Sequence, residues 1–519
     1  MRLARCLAAL AATSGLLTAA CSAPSNGPAA PSADAFVIGL GSEFDTLSPV
    51  MGYAPDGGSL IYEGLMSREA DLSLTPAVAA APPTVSDDGE TVTFTLREGL
   101  KFHDGTPLTS ADVEYTYEAV LDGANASPIR GDFAAIERVD APDPSTVVFR
   151  LRHPYAPLVQ RTTLGIVPEG APLTGDRPVG SGPYRFVSRT PGDKIVLEAN
   201  RDYRSGPPAL DRLVLAFAED DNVRATRMSA GEFDATILPP RAAARFEGQR
   251  GLTVHKVPSA DYRGIMFPLD HPVTGDRAVR RALGLAVDRQ AMVDTILAGA
   301  GTPAFGPVSP DTSWHNPEVT GAPAGDPEAA RRLLQDGGWL PGGDGVRVKD
   351  GVRAAFTLMY PAGDSLRKEL ALAVASDAKA VGLDVRLAGL DWDAIEPRMR
   401  EDALIMGYGS PYDPDYVNYE LFHSSYARQG FFNPGGYESR EVDELLETGR
   451  RSGDPAERRR AYLRFQKIVH DDAVWTHLVF LKHVYVIRGD HQGVRPGVEA
   501  HEHALGGLFR DIHTWRPAA

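Results

Sequence analysis

The sequence predicts an α/β or mixed α+β protein with several domains, and three stretches carry this prediction. Residues 91–97 (TVTFTLR) alternate apolar and polar side chains, which is the pattern of a half-buried strand. Residues 109–121 (TSADVEYTYEAVL) place apolar side chains on one helical face, with Ser110 as the expected N-cap. Residues 354–388 follow the order strand, helix, strand, so we expect a crossover connection and a parallel strand pair.

Later helices have clear start and stop signals. Asp326-Pro327 opens a predicted helix over 326–336, and the two glycines that follow end it. Asp454-Pro455, with Glu457 three residues after the cap, opens a second helix over 455–472. Within 354–388, the sequence predicts strand 354–360, helix 364–381 and strand 383–388, with Gly382 between the last two.

Length and composition set limits on the protein class. At about 150 residues per domain, 519 residues predict two to four domains, and 43% hydrophobic residues are enough to build their cores. A net charge of −16 argues against a nucleic-acid partner, because such binding needs basic patches. The two cysteines, Cys6 and Cys21, both lie at the start of the chain, so no disulfide is expected in the folded body.

The first 34 residues predict export and anchoring. Two arginines, an apolar run and small residues make residues 1–20 a signal peptide, and the run is shorter than the ~20 apolar residues of a membrane span. Cys21 directly follows the small residues, as in a bacterial lipobox, so we expect it to be acylated and to tie the chain to the membrane. Residues 21–34 are then a flexible tether. Ordinary secretion, without acylation, is the alternative.

The sequence does not predict an enzyme. Residues 363–366 spell GDSL, a motif of one group of serine hydrolases, but the base expected near the C-terminus is missing, and a loop with an N-cap explains the four residues. His501-Glu502-His503 is better explained as a solvated strand end than as a metal site. We therefore expect no catalytic residue, no cofactor and no resident metal.

Several motifs, read in order, resemble one family. The densest is 87–113 (DDGETVTFTLREGLKFHDGTPLTSADV), followed by 178–186 (PVGSGPYRF). These stretches are similar to the extracytoplasmic solute-binding proteins of ABC importers for peptides and nickel, known as family 5. Further matching stretches are Tyr62-Glu63-Gly64-Leu65, Leu74-Thr75-Pro76, Asn200-Arg201-Asp202-Tyr203, Gly231-Glu232-Phe233-Asp234, 277–289, 326–339, 382–386 and 436–446.

The resemblance implies a two-lobed periplasmic-binding-protein-like fold of type II, with three domains and a ligand cleft between the lobes. The inferred boundaries are 35–62, 178–264 and 478–519 for a discontinuous domain I, 63–177 for domain II, and 265–477 for domain III.

The resemblance also points to residues 407–416 (GYGSPYDPDY) as the lining of the cleft. By position Tyr408 takes the role of the aromatic residue that packs on the ligand. Peptide-binding members carry an aspartate a few residues later for the peptide ammonium, and that aspartate is missing here. The other predicted ligand-binding residues are Gly409, Ser410, Tyr412 and Asp413 in this segment, and Trp392, Met51 and Tyr53 elsewhere.

The run GSPYDP is also similar to the nickel branch, which binds metals with small organic chelators. That branch uses an arginine for chelator carboxylates and sometimes a histidine on the metal. Arg161 lies near the expected place without aligning to it, and His423 is the candidate metal ligand, with a surface histidine as the alternative.

The resemblance thus predicts a lipid-anchored, extracytoplasmic solute-binding protein on the outer face of the cell membrane. It would work as a monomer, capture short peptides or peptide-like molecules by hinge closure and deliver them to ABC permease subunits. A nickel or other metal-chelate receptor is the alternative within the family. The alternatives from other classes are a secreted hydrolase using Ser365 and a sensory or scaffold lipoprotein.

Overall fold

A computed structural model describes residues 35–501 and 505–518. The predicted signal peptide, Cys21 and the tether lie outside the described residues. The strands, in chain order, are β1 (Phe36–Leu40), β2 (Met66–Arg68), β3 (Leu74–Pro76), β4 (Thr84–Val85), β5 (Thr91–Thr95), β6 (Ile136–Asp143), β7 (Thr146–Leu151), β8 (Tyr184–Thr190), β9 (Lys194–Ala199), β10 (Arg212–Phe217), β11 (Ala235–Leu238), β12 (Leu252–Met266), β13 (Gly301–Pro303), β14 (Leu340–Pro341), β15 (Arg347–Lys349), β16 (Val352–Arg353), β17 (Ala355–Pro361), β18 (Asp384–Leu390), β19 (Ala403–Tyr408), β20 (Trp475–Arg488), β21 (His491–Gln492) and β22 (Arg516–Pro517).

The α-helices, numbered in the same way, are α1 (Ser110–Leu121), α2 (Leu158–Arg161), α3 (Asp221–Ala230), α4 (Pro240–Ala244), α5 (Arg277–Ala286), α6 (Arg289–Ala291), α7 (Pro327–Asp336), α8 (Ser365–Ala380), α9 (Trp392–Ile395), α10 (Asp415–Phe422), α11 (Arg440–Arg451) and α12 (Pro455–Asp471). Short 3-10 helices cover Pro49–Met51, Gly123–Asn125, Arg130–Phe133, Glu396–Arg398, Ser424–Tyr426 and Gly507–Thr514, and Met292–Ile296 is a π-helix. No helix of the described part is long and apolar enough to cross a membrane.

The structure confirms the elements that the sequence predicts most clearly. The alternating stretch forms β5, and β17 and β18 pair in parallel with α8 between them. Asp326 and Asp454 are the N-caps of α7 and α12, as expected. The predicted cap of α1 is wrong by one residue: Thr109 is extended, its backbone N–H donates to the Asp112 carboxylate at 2.7 Å, and Ser110 is already helical.

An eleven-stranded mixed sheet runs through the molecule in the order β18-β17-β19-β12-β20-β11-β1-β10-β9-β8, with β13 added beside β20. A separate four-stranded sheet has the order β4-β5-β7-β6. The long antiparallel strands β12 and β20 pair from Leu252 with Arg488 to Met266 with Trp475, with a bulge between Pro258 and Tyr262. They therefore join the two halves of the large sheet without a loop.

Buried apolar side chains collect on either side of this crossing. We call residues 35–257, 484–501 and 505–518 the first lobe, since their largest core draws on all three ranges. Residues 262–480 form the second lobe, with two cores of their own. The predicted boundaries after residues 264 and 477 fall inside β12 and β20, and the three-domain division stays a prediction.

Candidate functional site

The segment predicted to line the cleft leaves the end of β19 and enters α10, and we call residues 407–416 the site segment. Tyr408 is the last residue of the strand, at the carboxyl end where open α/β sheets place ligands. Its ring is half-buried and packs edge-to-face on Trp475 at 6.0 Å, and its hydroxyl donates to the carbonyl of Phe431 at 2.5 Å. Burial raises the pKa of Tyr408, so the phenol stays neutral.

Glycine is required at the next position. Gly409 has φ +130°, and a Cβ there would lie 1.9 Å from the carbonyl oxygen of Ala260 in β12. Its carbonyl accepts a bond of 2.8 Å from the backbone N–H of His501. Ser410 is half-buried, and its hydroxyl accepts from the backbone N–H of Tyr412 at 3.3 Å. The site segment is thus held close to the strands that cross between the lobes.

Tyr412 brings the site segment against the first lobe. The Arg68 guanidinium, from β2, lies 3.7 Å from the centre of the Tyr412 ring, and Tyr416 packs edge-to-face on the same ring at 5.6 Å. The Tyr416 hydroxyl donates to the carbonyl of Gln160 at 2.9 Å. Both tyrosines belong to the second lobe and both contact the first.

The Asp413 carboxylate is already used within the second lobe. Its side chain is 4% exposed, and it accepts two hydrogen bonds from one nitrogen of Arg458 on α12, at 2.6 and 2.9 Å. A buried charge needs such a partner. The Asp413 carboxylate is therefore occupied by Arg458 and is not free to pair with a ligand. Asp413 therefore stabilises the turn, and a ligand contact for it stays a prediction.

A second carboxylate, two residues on, pairs across the lobes. Asp415 accepts from Arg450 of its own lobe at 2.9 and 3.1 Å and from the Tyr155 hydroxyl of the first lobe at 3.1 Å. Arg161 donates to that hydroxyl at 3.0 Å, lies 3.8 Å from Asp415 and pairs with Asp132 at 2.8 Å. We call Asp132, Tyr155, Arg161, Asp415 and Arg450 the inter-lobe cluster.

The lobes are in direct contact around this cluster. The backbone N–H of Ala156 donates to the carbonyl of Arg450 at 2.9 Å. The Arg161 guanidinium also lies 4.1 Å from the centre of the Tyr416 ring. Burial raises the pKa of Asp132, against the opposing effect of Arg161. Because Tyr155, Arg161 and Asp415 are buried, and Asp132 and Arg450 are half-buried, these contacts are worth more than surface ion pairs.

Glu420, on α10, is the remaining ionisable group beside the cluster. It is half-buried, and burial, helped by the charges of Asp132 and Asp415, raises its pKa to about 8. Arg161 and Arg450 oppose that rise.

The other predicted cleft residues are spread over different surroundings. Met51 is half-buried at the end of a 3-10 helix, and Tyr53 packs edge-to-face on Phe44 at 5.4 Å inside the first-lobe core, where burial raises its pKa to about 12. Trp392 begins α9, is 40% exposed and packs edge-to-face on Phe431 at 5.7 Å. Phe431 thus lies between Trp392 and Tyr408 and contacts both.

His423 caps the 3-10 helix after α10. Its Nδ1 bonds to the Ser425 hydroxyl at 2.8 Å, and its ring stacks on Tyr419 at 4.4 Å. Burial lowers its pKa, against the opposing charges of Asp443 and Glu447. Among the described residues no group of three or more His, Cys, Asp or Glu side chains is arranged to hold a metal ion. A metal role for His423 stays a prediction.

The serine of the GDSL motif has no base in the described structure. Ser365 is the first residue of α8, and Asp364 caps that helix by accepting from the backbone N–H of Arg367 at 2.8 Å. Ser365 shares a 420 Å³ cavity with His483. Burial alone would lower the pKa of His483, but hydrogen bonds to Asp261 (3.2 Å) and Glu499 (2.6 Å) raise it to about 10. A charged imidazole cannot take the serine proton.

Sequence reasoning missed most of the inter-lobe cluster. In the sequence, Asp413 and Asp415 are a possible carboxylate pair that a turn after Tyr412 explains equally well, and Asp132, Tyr155 and Arg450 carry no motif. The Tyr155–Asp415 bond joins residues 260 positions apart, so no local pattern reveals it. The one available signal was compositional: α10 (DYVNYELF) carries two tyrosines and three apolar residues among eight, which favours a helix packed on both sides.

Comparison with known proteins establishes the family. The model of the bacterial extracellular solute-binding proteins, family 5, matches residues 73–429. The chain belongs to this family. Family 5 proteins are the extracytoplasmic solute-binding proteins of ABC importers, and such proteins bind solutes without being enzymes. The family predicted from the sequence motifs is therefore confirmed.

Two relatives and one solved structure show the range of the similarity. Protein XP55 of Streptomyces lividans is 47% identical over 491 residues, covering 92% of this chain and 90% of that protein. The oligopeptide-binding protein AppA of Bacillus subtilis (strain 168) is 27% identical over 465 residues, covering 85% of each. The crystal structure of NikZ from Campylobacter jejuni in complex with Ni(L-His) has a TM-score of 0.84 at 26% identity and covers 93% of this chain and 99% of NikZ. This likeness confirms the predicted fold class.

Proposed function

We propose that this family 5 protein is a lipid-anchored receptor that captures short peptides or peptide-like small molecules by hinge closure and delivers them to an ABC permease. The observation that carries the proposal is the contact between the lobes around Tyr412, Tyr416 and the inter-lobe cluster. A ligand enclosed there adds contacts to both lobes at once, and such differential affinity for the closed form drives closure.

The chemistry of the site favours a peptide over a carboxylate-rich chelate. Arg68 and Arg161 are buried cations at the lobe contact: Arg161 is turned to Asp132, Tyr155 and Asp415, and Arg68 donates to Gln160. A chelator carboxylate would have to displace one of these partners. A peptide instead offers backbone groups and side chains to an aromatic residue such as Tyr408 and to the half-buried Ser410 beside it.

The metal-chelate function is the second candidate, because the run Ser410-Pro411-Tyr412-Asp413-Pro414 is similar to the nickel branch and NikZ was solved with Ni(L-His). In this alternative His423 would have to leave Ser425 and turn toward the cleft.

Native mass spectrometry with metal analysis on gently purified protein starting at residue 35 separates the two candidates. A bound mass of two to five amino acids supports the peptide function. Stoichiometric nickel or another metal with a small chelator supports the second candidate and directs mutation to His423. If the site stays empty with every peptide and chelate pool, the transport function is wrong and a scaffold role becomes the better explanation.

Tyr408 provides a direct test of the site within the family. We expect Tyr408→Ala to weaken ligand binding by about tenfold to a hundredfold, which corresponds to about 1.4–2.8 kcal/mol for one aromatic contact. Tyr408→Trp keeps the aromatic surface and should bind like the parent protein. Equal binding by the alanine variant would remove Tyr408 from the site.

Anchoring is tested separately through Cys21. The variant Cys21→Ser should be released into the medium, whereas the parent chain should fractionate with the membrane. A variant that stays membrane-bound would show that the thiol is not the point of attachment.

A further inference from the structure

A cavity of 140 Å³ lies inside the second lobe at the edge of the large sheet, and we call it the edge cavity. β13 ends at Pro303, opposite Val479 of β20, so residues 475–477 of β20 pair with no described strand on that side. The cavity lies at this gap, between the start of β20, the last turn of α5 and the exposed loop 320–322. None of the described residues that line it belongs to the first lobe.

Arg289, in the wall of the edge cavity, is a buried cation without a counter-ion. It is 4% exposed, and burial lowers its pKa to about 10, so it remains charged at neutral pH. Its Nε donates to the carbonyls of Ala304 at 3.0 Å and His477 at 2.8 Å, and its Nη1 donates to that of Gly284 at 2.8 Å. These carbonyls satisfy its donors but carry no net charge. Arg289 forms no ion pair within the described part of the chain, and a buried charge of this kind is costly.

Two further arginines line the same cavity. Arg280 is buried, its donors are bonded to four backbone carbonyls, and the charge of Asp472 acts on it. Arg281 is exposed and forms no hydrogen bond or ion pair with any described residue. Its charge acts on Asp471, which already pairs with Lys467 at 2.5 Å. The edge cavity thus brings three guanidinium groups together, and none of the described residues that line it is an aspartate or a glutamate.

Two buried polar side chains of the cavity wall lack hydrogen-bond partners. Thr476 and His477 are 3% and 5% exposed, and the Thr476 hydroxyl and the His477 Nε2 bond to nothing within the described residues. Burial lowers the pKa of His477 to about 3, helped by the charges of His470 and Arg289. The His477 ring is therefore neutral, and one of its nitrogens carries a proton that it can donate. Because buried polar groups are normally bonded, these two point to a missing partner that accepts hydrogen bonds.

We propose that the edge cavity binds one small inorganic oxyanion of the phosphate or sulfate class. Such an ion supplies the negative charge that Arg289 lacks, and its oxygens accept hydrogen bonds from guanidinium groups and from the Thr476 hydroxyl. A cavity of 140 Å³ has room for only a few water molecules, so it admits an ion of five heavy atoms and excludes a peptide. The proposal does not depend on the proposed function, because the site lies within one lobe.

The experiment measures the binding of inorganic phosphate and sulfate to the dialysed protein by titration calorimetry and thermal melts, with sodium chloride at matched ionic strength as the control salt. Arg281→Gln removes an exposed cation of the site, and Thr476→Val removes the unpartnered hydroxyl and keeps the shape of the side chain. Both variants should fold, because neither group bonds to another part of the described protein. Arg332→Gln is the matched control, since Arg332 is an exposed arginine of α7 that lies 3.8 Å from Glu328 and outside the cavity.

We expect the parent protein to bind one oxyanion per chain, and its melting midpoint to rise by about 2–4 °C at a phosphate concentration ten times the dissociation constant. Arg281→Gln and Thr476→Val should each bind phosphate about threefold to tenfold more weakly. Arg332→Gln should bind it like the parent. Crystals soaked in selenate should show an anomalous peak inside the edge cavity.

Three results would overturn the proposal. The first is equal stabilisation by chloride at the same ionic strength, and the second is a selenate peak at another place. The third is a pair of variants, Arg281→Gln and Thr476→Val, that keep the parent affinity or lose no more of it than Arg332→Gln. Peptide capture would stand after any of these results, and the oxyanion site would stand if no peptide or chelate binds between the lobes.

Discussion

Asp413 and Asp415 stand two residues apart at the start of α10, and both are almost fully buried, with 4% and 1% of their surface exposed. Their partners differ. Asp413 pairs with Arg458, on the same lobe, at 2.6 Å. Asp415 pairs with Arg450 on its own lobe and also contacts Tyr155 of the opposite lobe, at 3.1 Å.

Because their partners differ, Asp413 and Asp415 should affect different properties. Asp413 should affect the free energy of unfolding, and Asp415 the proposed closure of the lobes. A buried pair inside one lobe is present whatever the arrangement of the lobes, so it contributes to folding. In the proposed hinge closure, a pair across the lobes exists only while they touch, so it would shift the balance between open and closed forms. If the lobes part, Asp415 keeps Arg450 and Arg161 keeps Asp132, so neither lobe is left with an unpaired buried charge.

The largest effect is expected from breaking the pair within the lobe. Asp413→Asn leaves the Arg458 guanidinium buried without a counter-ion, which should lower the free energy of unfolding by about 3–5 kcal/mol. Urea or thermal unfolding of the ligand-free protein measures this loss. The double variant Asp413→Asn with Arg458→Met should recover part of it. An unchanged unfolding midpoint would mean that this pair contributes nothing to the fold.

A different kind of change is expected from Asp415→Asn. Ligand-free stability should fall less than in Asp413→Asn, because opening lets water reach Arg450. Ligand affinity should fall by about tenfold or more, since about 1.4 kcal/mol lost from the closed form alone is a factor of ten in binding. With ligand present, small-angle scattering should show a larger radius of gyration for Asp415→Asn than for the parent protein.

Asp413→Asn is the control for Asp415→Asn, measured below its unfolding temperature. It should bind ligand with the parent affinity once the folded fraction is taken into account. If both variants lose the same affinity, then it makes no difference to ligand binding whether a buried pair lies within one lobe or across the two lobes.

The sequence predicted much of the fold, but it predicted little about which buried residues act within one lobe and which act across the lobes. Capped helices such as α7 and α12 were predictable because aspartate and proline act locally at a helix start. The division into lobes was not visible locally, because the chain passes between them inside the continuous strands β12 and β20 and shows no linker. The family motifs supplied that architecture instead.

The site was predicted only in part, because sequence patterns reveal local features and not contacts between distant residues. The turn at Gly409 and the aromatic residue before it belong to one short segment, so a motif identifies them together. The two aspartates of the run DPD, by contrast, look alike in sequence, and their different roles come from Arg458, 45 residues away, and Tyr155, 260 residues away. Only the three-dimensional arrangement assigns one to the fold and the other to the lobe contact.

A smaller effect is expected from trimming one hydroxyl of the inter-lobe cluster. Tyr155→Phe keeps the ring beneath Arg450 but removes the group that accepts from Arg161 and donates to Asp415. About 1 kcal/mol should be lost from the closed form, which weakens ligand binding a few-fold. Tyr419→Phe is the control, since that hydroxyl bonds to Glu447 inside the second lobe at 2.6 Å. Titration calorimetry on both variants should show the loss only for Tyr155→Phe.

The smallest effect is expected from the exposed pair between Arg241 of the first lobe and Glu369 of the second. The two side chains cross the lobes at 3.0 Å, as the buried cluster does, but they are 62% and 37% exposed. Water and salt screen such pairs, so Arg241→Ala should change ligand affinity by less than about fivefold, corresponding to ~0–1 kcal/mol, and the change should disappear in high salt. Titration at low and high ionic strength, beside Asp415→Asn, measures this. An effect as large as that of Asp415→Asn would mean that crossing between the lobes, and not burial, decides what an ion pair contributes to closure.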